Sequence, residues 1–407
     1  MDYAENTLTE PELPKIISVD DHVVEPAHLW QTWLPEKYKA RGPRIERRGI
    51  GEIKHVGGGA YQQTFDPDGP PADCWIFEDL VYIHKRHVAA VGFSRDEMTM
   101  TPMTYDEMRP GCYDPKARVE DMKANWVDGS LCFPTLPRFC GQTFSEATKD
   151  RDLGLACVKA YNDFMVEEWC GDSEGILIPL IIIPLWDAEL AAAEVRRNAE
   201  RGVHAVCFSE VPAHLGLPSI HSGYWDPFFA ACEQTNTTIN MHIGSSSRMP
   251  ATSPDAPDGV AATLSFNNSM SSLADWLFSG KFVQFPNLKV AYSEGQIGWI
   301  PYILERADTV WQEHRAWIGA ADTVPEPPST YYHRNVFGCF FRDYHGIKTR
   351  DDIGIDTITF ETDYPHTDST WPHTKKVAEE HLAGLTYEEK YKILRGNAIR
   401  MLSLDRV

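Results

Sequence analysis

Eight short apolar runs, separated by longer segments that mostly carry helical periodicity, constrain this chain more than any other feature. The runs cover residues 15–19, 129–133, 176–185, 204–208, 238–243, 289–292, 336–341 and 357–360. Between them, 187–200, 224–234, 261–278 and 296–317 repeat apolar residues at helical spacing. Strands that are apolar throughout are covered on both faces, and strands alternating with crossover helices make a parallel sheet. Eight such units predict an α/β chain closed into a (β/α)8 TIM barrel. Two stretches break the repeat. Residues 35–118, rich in Gly, Pro, Asp, Tyr and Met, are expected to carry a small hairpin and helices; 318–334 is a shorter Pro-rich insertion. Loops of such length usually act as caps or interface elements. The tail, 387–404, reads as an amphipathic helix with Tyr391, Ile393, Leu394, Ala398, Met401 and Leu402 on its apolar face. Residues 1–407 are thus read as one barrel domain with two insertions and a C-terminal helix.

Charge narrows the partners. Fifty-nine acidic residues against 38 basic ones leave a formal charge of −21, the wrong sign for a polyphosphate, whose binding needs clustered Lys and Arg. Nucleic acid is therefore not an expected partner. Nor is a membrane: the longest apolar run, 176–185, contains Pro179 and Pro184 and falls far short of the ~20 residues a spanning helix needs. Residues 1–14 are acidic and contain proline, unlike a secretory leader, so a cytoplasmic location is expected. The nine cysteines form no CxxC pair; Cys132, Cys207 and Cys339 sit inside apolar runs and are expected to pack in the core. No Gly-rich nucleotide fingerprint is present, which argues against NAD, flavin or ATP.

In a parallel barrel the chemistry gathers at the carboxyl ends of the strands, and here those ends carry ionisable groups. The first ends Asp20-Asp21-His22; a two-residue spacing on extended chain turns Asp20 and His22 to one face, half of a divalent-metal site. The fourth ends Ser209-Glu210. In the fifth, Asn240 and His242 share a face; a hydrogen-bonded core histidine is the alternative to a ligand. The sixth ends Ser293-Glu294-Gly295-Gln296, and the eighth Glu361-Thr362-Asp363-Tyr364-Pro365-His366. Five strand ends with a ligand or proton-transfer group each weigh more together than singly. Arg248, in the Ser-rich loop after His242, is placed to clamp a substrate carboxylate or to pair with Asp255 or Asp258. Ser293 and Trp371 are read as further substrate-facing residues, with core packing the alternative for Trp371.

These motifs resemble the amidohydrolase superfamily, and more closely the branch containing aminocarboxymuconate-semialdehyde decarboxylase and related aromatic acid decarboxylases. The D-x-H of Asp20 and His22, His242 at the fifth strand, and Asp363-Tyr364-Pro365-His366 at the eighth carry the likeness. Asn287-Leu288-Lys289-Val290, the run from Ser293 to Tyr302, and Gly396-Asn397-Ala398 extend it. The resemblance spans most of the chain and is weakest in 35–118. It implies that Asp20, His22, His242 and Asp363 bind one divalent metal, with Asp363 also available for proton transfer; zinc, manganese and iron are all used by similar proteins. Two departures stand out. Many hydrolases have H-x-H where this chain has D-x-H. Where the branch commonly places a His followed by two glycines, this chain has Glu294-Gly295-Gln296, which removes an imidazole used for substrate contact or proton transfer.

Glu294, with Glu210 and His366, could complete a second metal site, since carboxylate and imidazole suit iron or manganese. Alternatively, Glu294 pairs with Arg306 or caps the helix starting at Gln296. Three functions follow: a metal-dependent lyase or hydrolase acting on a small organic acid, aromatic acids included, with Asp363, Glu294 and His366 as the catalytic groups; a dinuclear iron or manganese oxygenase hydroxylating such an acid; or a catalytically quiet subunit beside a similar chain. The first ranks highest. The long insertions predict a homo- or hetero-oligomer: sedimentation velocity should show a species larger than one chain, and a monomer-sized boundary alone would refute the expectation.

Overall fold

The computed structural model describes residues 11–57, 60–171 and 173–405. Residues 1–10 of the acidic opening segment and the last two of the 1–407 span lie outside the described residues. Among the described residues no helix is long and apolar enough to cross a membrane. Their strands, in chain order, are β1 (Ile16–Val23), β2 (Arg44–Gly57), β3 (Ala60–Phe65), β4 (Pro71–Phe77), β5 (Leu80–Ile83), β6 (Val127–Pro134), β7 (Leu177–Ile178), β8 (Ala205–Phe208), β9 (Thr238–His242), β10 (Val290–Ser293), β11 (Val336–Phe340) and β12 (Ile358–Phe360).

Two parallel sheets, ordered β1-β6-β7 and β12-β11-β10-β9-β8, account for the eight runs of the sequence. Backbone bonds join them at both edges. Ile181, just past β7, donates to Ala205 O at 3.2 Å and accepts from Cys207 N at 2.8 Å, in parallel pairing with Val206. At the other edge Asp363 N donates to Asp20 O at 2.9 Å and His22 N to Tyr364 O at 2.6 Å. The strands therefore make a continuous ring, the barrel the alternating pattern predicts. Every residue of β1, β8, β9 and β10 is buried, as expected of strands covered by helices outside and side chains within.

The helices start where the chain supplies caps. Asp187 accepts from Glu189 N at 2.9 Å and Leu190 N at 3.0 Å, opening Ala188–Ala199, which buries Ala191, Ala192 and Val195 against the barrel. The long helical pattern at 261–278 divides into Asp258–Thr263 and Asn267–Phe278. The expected helix from Gln296 begins only at Ile300, because the Asp343 carboxylate takes the preceding amides of Ile297 and Gly298 at 2.9 and 2.6 Å. The tail runs helically from Tyr387 to Leu402 with one wider turn at Lys392–Gly396, burying Ile393, Leu394, Ala398, Met401 and Leu402.

The segment after β1 holds more than the expected small hairpin. It folds into a four-stranded antiparallel sheet ordered β3-β2-β4-β5. Alternation explains how so polar a segment makes one. On β4, Trp75 and Phe77 face the main core, where Trp75 meets Trp30 edge-on at 4.9 Å and Phe77 meets Phe144 at 5.5 Å. Cys74 and Ile76, on the opposite face, close a small separate core with Ile50, Ala72 and Ile83. The β2–β3 hairpin reaches across to the segment after β9, where Asp258 accepts from Tyr61 Oη at 3.1 Å and its other oxygen lies 3.0 Å from His55 Nε2. The end of the insertion fastens the loop beyond β12 through Ala90 N to Pro365 O at 2.7 Å.

Arg118, in the helix Pro115–Ala124, binds this insertion to the barrel from inside. Its fully buried guanidinium donates to Gly111 O at 2.7 Å and His22 O at 2.5 Å, with Cys132 Sγ at 3.3 Å. It also lies over the Tyr364 ring at 4.2 Å. Replacing it with Met strands two buried carbonyls, so Arg118→Met should lower stability by about 3 kcal/mol or more; a urea midpoint within error of the unsubstituted protein would refute this role.

Candidate metal centre

Four strand ends converge at the barrel mouth. A register shift on β1 between Ser18 and Asp21 leaves Asp20 and His22 turned inward, as their spacing predicts, with His22 Nε2 3.5 Å from Asp20 Oδ1. From β9, His242 Nε2 lies 3.3 Å from Asp20 Oδ2 and 3.2 Å from His22 Nε2. Asp363 Oδ1, beyond β12, is 3.3 Å from His22 Nε2 and 3.1 Å from His366 Nδ1. Glu294 Oε2, beyond β10, comes within 3.5 Å of His242 Nε2. Two overlapping donor groups result: Asp20, His22 and His242, and His22, Asp363 and His366.

These atoms suit a cation. Both oxygens of Asp20 and both of Asp363 are buried without a hydrogen-bond donor, an arrangement that costs several kcal/mol unless positive charge is bound there. His242 Nδ1 donates to Ile243 O at 2.6 Å, which leaves the Nε2 lone pair facing the cluster. Burial pushes His242 down to about 3 and, with help from His366 and His242, holds His22 well below its ordinary range. Both imidazoles are therefore neutral, the form that binds metal. Burial and then the neighbouring carboxylates raise Asp20 and Asp363 well above the usual range. That crowding is the electrostatic counterpart of a cation site.

Backbone and packing hold the geometry. Glu294 and Asp363 have φ of 54° and 50°, left-handed values that are uncommon for non-glycine residues. Glu294 N donates to Glu361 Oε2 at 3.1 Å, and that oxygen also accepts from Cys339 Sγ at 2.5 Å. The Phe139 ring stacks on His242 at 4.2 Å. Gly244 follows at φ 81°, and a Cβ there would stand 2.8 Å from Phe139, so only glycine lets the chain turn away beneath that ring.

Not every residue singled out by sequence arrives here. Glu210 is buried but lies outside both donor groups; its Oε1 accepts from Ser269 Oγ at 2.5 Å. Arg248 is exposed, close enough to His214 to depress its pKa after burial does, and forms no bond to Asp255 or Asp258. Ser293 is buried, and its carbonyl accepts from Ile243 N at 3.2 Å. Trp371 does line a cleft with His366. Glu294 neither pairs with Arg306 nor caps the following helix, which starts at Ile300 without a side-chain cap; Asp343 takes the amides of Ile297 and Gly298 ahead of it. Cys132, Cys207 and Cys339 are all buried. Sequence reasoning passed over Asp21, Arg118 and Phe139. Asp21 accepts from Ser130 Oγ at 2.5 Å, from Tyr364 N at 3.0 Å and from Thr362 Oγ1. The doubled acid before His22 was the available signal; Arg118 and Phe139 left none.

A family model described as amidohydrolase matches residues 27–404. The curated 2-amino-3-carboxymuconate-6-semialdehyde decarboxylase of Dictyostelium discoideum is 23% identical over 319 residues, 74% of this chain and 80% of that protein. Among solved structures, an amidohydrolase from Mycobacterium avium subsp. paratuberculosis K-10 is similar with a TM-score of 0.69 at 19% identity, covering 96% of this chain and 100% of that one. The 5-carboxyvanillate decarboxylase of Novosphingobium aromaticivorans, solved with manganese and 4-hydroxy-3-methoxy-5-nitrobenzoic acid, is similar with a TM-score of 0.57 at 20% identity, covering 72% and 81%.

Removing one imidazole should empty the centre. His242→Ala is expected to bind manganese at least about a hundredfold more weakly in equilibrium dialysis; retention at the unsubstituted stoichiometry would refute the ligand set.

Proposed function

The chain belongs to the amidohydrolase family, and from that premise we propose that it is a metal-dependent decarboxylase of a small aromatic acid. The observation that carries this reading is the convergence of Asp20, His22, His242 and Asp363, with four carboxylate oxygens lacking donors. The decarboxylases among its relatives, one of them solved with manganese, support it. Hydrolysis at the same centre ranks below.

A divalent metal held by those four residues, manganese, zinc or iron, would supply Lewis acidity toward a substrate oxygen. The chain supplies the rest. Phe133 and Phe139 pack around the two imidazoles and keep water from the reacting carboxylate. Asp363 gives a proton to the ring carbon as its bond to the carboxylate breaks and carbon dioxide leaves. His366, 3.1 Å from Asp363 and 17% exposed, returns the proton from solvent. Glu294, 13% exposed beside His242, takes the place at the sixth strand where related enzymes carry an imidazole and orients the substrate.

A second reading has one observation in its favour. The two donor groups share His22, and Glu294 lies beside them, so a pair of iron or manganese ions, with His366 and Glu294 on the second, would make the centre a dinuclear oxygenase.

The test combines metal count with product. Manganese-loaded protein is expected to hold about one ion per chain and to release carbon dioxide from a panel of hydroxybenzoates, and Asp363→Asn should lower kcat by roughly a thousandfold. Two irons per chain with oxygen uptake would overturn decarboxylation in favour of the oxygenase, and release unchanged in Asp363→Asn would remove Asp363 as the proton donor.

A further inference from the structure

Asp20, His22, His242 and Asp363 are buried, so a ligand that binds among them has to pass the neighbours that reach solvent, Glu294 and His366. The far side of the mouth is shut. There the loop after β6 crosses to the loop after β9: Phe139 stacks on His242 at 4.2 Å, Cys140 Sγ donates to Ser245 O at 3.6 Å, and Gln142 Nε2 donates to Gly244 O at 3.2 Å. Glu146 adds to the closure, 3.3 Å from Arg138 and accepting from Ser247 Oγ at 3.3 Å. The near side differs. His366 stacks on His22 at 3.6 Å with its Nδ1 3.1 Å from Asp363, and the same residue lines a cleft of about 580 Å³. Phe93, Arg95 and Met98 line that cleft from the insertion, and Arg342, Trp371 and Lys376 from the barrel side. One imidazole therefore belongs both to the donor groups and to the cleft.

The charge of the cleft is opposite to that of the molecule. The chain carries −21, yet the fixed charges lining the cleft are Arg95, Arg342 and Lys376 against Glu380 alone, and Glu380 lies 3.8 Å from Lys376. Two guanidiniums are left over. Arg95 Nη1 donates to Thr367 O at 2.5 Å and Arg342 Nη1 to Asp368 O at 3.0 Å, which fastens both to the backbone of the loop that carries His366. Neither is in an ion pair among the described residues. Burial and then Arg95 lower the pKa of Arg342, with Asp368 opposing the shift, so the two cations feel each other. Like charges on the walls of a cleft focus the field on whatever enters it and raise the capture rate of the opposite charge.

We propose that this cleft is the port through which ligands reach the metal centre, and that Arg95 and Arg342 make it attract small organic anions that the rest of the surface repels. The guanidiniums act on the rate of capture and need not touch the ligand once it is bound. The aromatic acids considered above are anions of this kind, and Arg95 gives the insertion a part in admitting them. This assignment rests on the metal-centre reading and is independent of which reaction follows there.

The sign of a salt effect tests it. Manganese-loaded protein is mixed by stopped flow with excess 8-hydroxyquinoline-5-sulfonate or 8-hydroxyquinoline, chelators that share one ring system and differ by a sulfonate, and their rates of metal removal are taken as a ratio, anion over neutral. Net charge alone would repel the anion, so the ratio would rise as salt screens the field; the port predicts the reverse. The ratio is expected to fall by about fivefold or more as ionic strength goes from about 0.01 to about 1 M. This is read on the unsubstituted protein, whether or not any variant folds. Arg95→Gln and Arg342→Gln should each remove about half or more of that salt dependence at unchanged manganese content. Met98→Trp, which narrows the cleft without altering its charge, should slow both chelators by a similar factor. A ratio that rises with salt, stays flat, or keeps its full salt dependence in either Gln variant would overturn the proposal, and removal rates unchanged in Met98→Trp would place the route elsewhere. Protein that holds no manganese at the outset would sink the metal-centre reading and the port with it, whereas a salt-indifferent ratio in loaded protein would sink the port alone.

Discussion

The carboxylate of Asp21 is the point on which the barrel mouth depends. It accepts from Ser130 on β6 and from Thr362 and Tyr364 beyond β12, so one side chain ties the first strand to both of its neighbours. The residues on either side of it, Asp20 and His22, are thereby turned the other way, into the barrel, and Asp363 is brought against them by the backbone bond from its own amide to Asp20 O. A structural carboxylate and a chemical one stand side by side on the chain, and alternation along an extended strand separates their duties. Arg118 reinforces the same junction from outside the cluster, since its guanidinium holds the carbonyl of His22.

The cost of that junction is electrostatic. After burial, Glu361, Glu294 and Asp363 raise the pKa of Asp20, and Asp368 and Glu361 raise that of Asp363; in a low-dielectric interior such repulsion is large. The structure answers it in two ways. Some of the charge is stabilised by donors, as at Asp21 and at Glu361, which takes the amide of Glu294 and the thiol of Cys339. The rest is left bare and aimed at a common point with two neutral imidazoles. The left-handed backbone at Glu294 and Asp363 belongs to the same design: strain accepted locally to direct side chains that an ordinary strand end would scatter.

Much of this was readable in the sequence because burial on both faces makes barrel strands apolar from end to end. The eight runs correspond to the eight ring strands, and Asp20, His22, His242 and Asp363 meet as their strand-end positions indicate. What escaped reading has physical causes. The four-stranded sheet of the insertion is charged along β2, and its two thin cores rest on alternate residues of β4, a pattern diluted by turns and polar positions. Arg248 and Glu210 were placed by proximity along the chain, but a loop after a strand need not bring its side chains to the donor groups: Glu210 is bound to Ser269 outside them and Arg248 is exposed. Phe139 and Arg118 act through rings and carbonyls brought close only by the fold, for which a linear pattern has no sign.

The seam between the first and last strands has a bearing on how the molecule is made. Asp21 and Thr362 are 341 positions apart, so their meeting closes nearly the whole chain into a loop. Such a loop costs more conformational entropy than any local pairing, and nothing repays it until the intervening strands are in place. A polypeptide emerging N-terminus first displays Asp20, Asp21 and His22 early and completes their surroundings last. The donor set is therefore a record of completed synthesis: it is whole only in a chain whose two ends of the barrel have found each other, and a chain ending before β12 keeps Asp20, His22 and His242 but lacks Asp363 and His366.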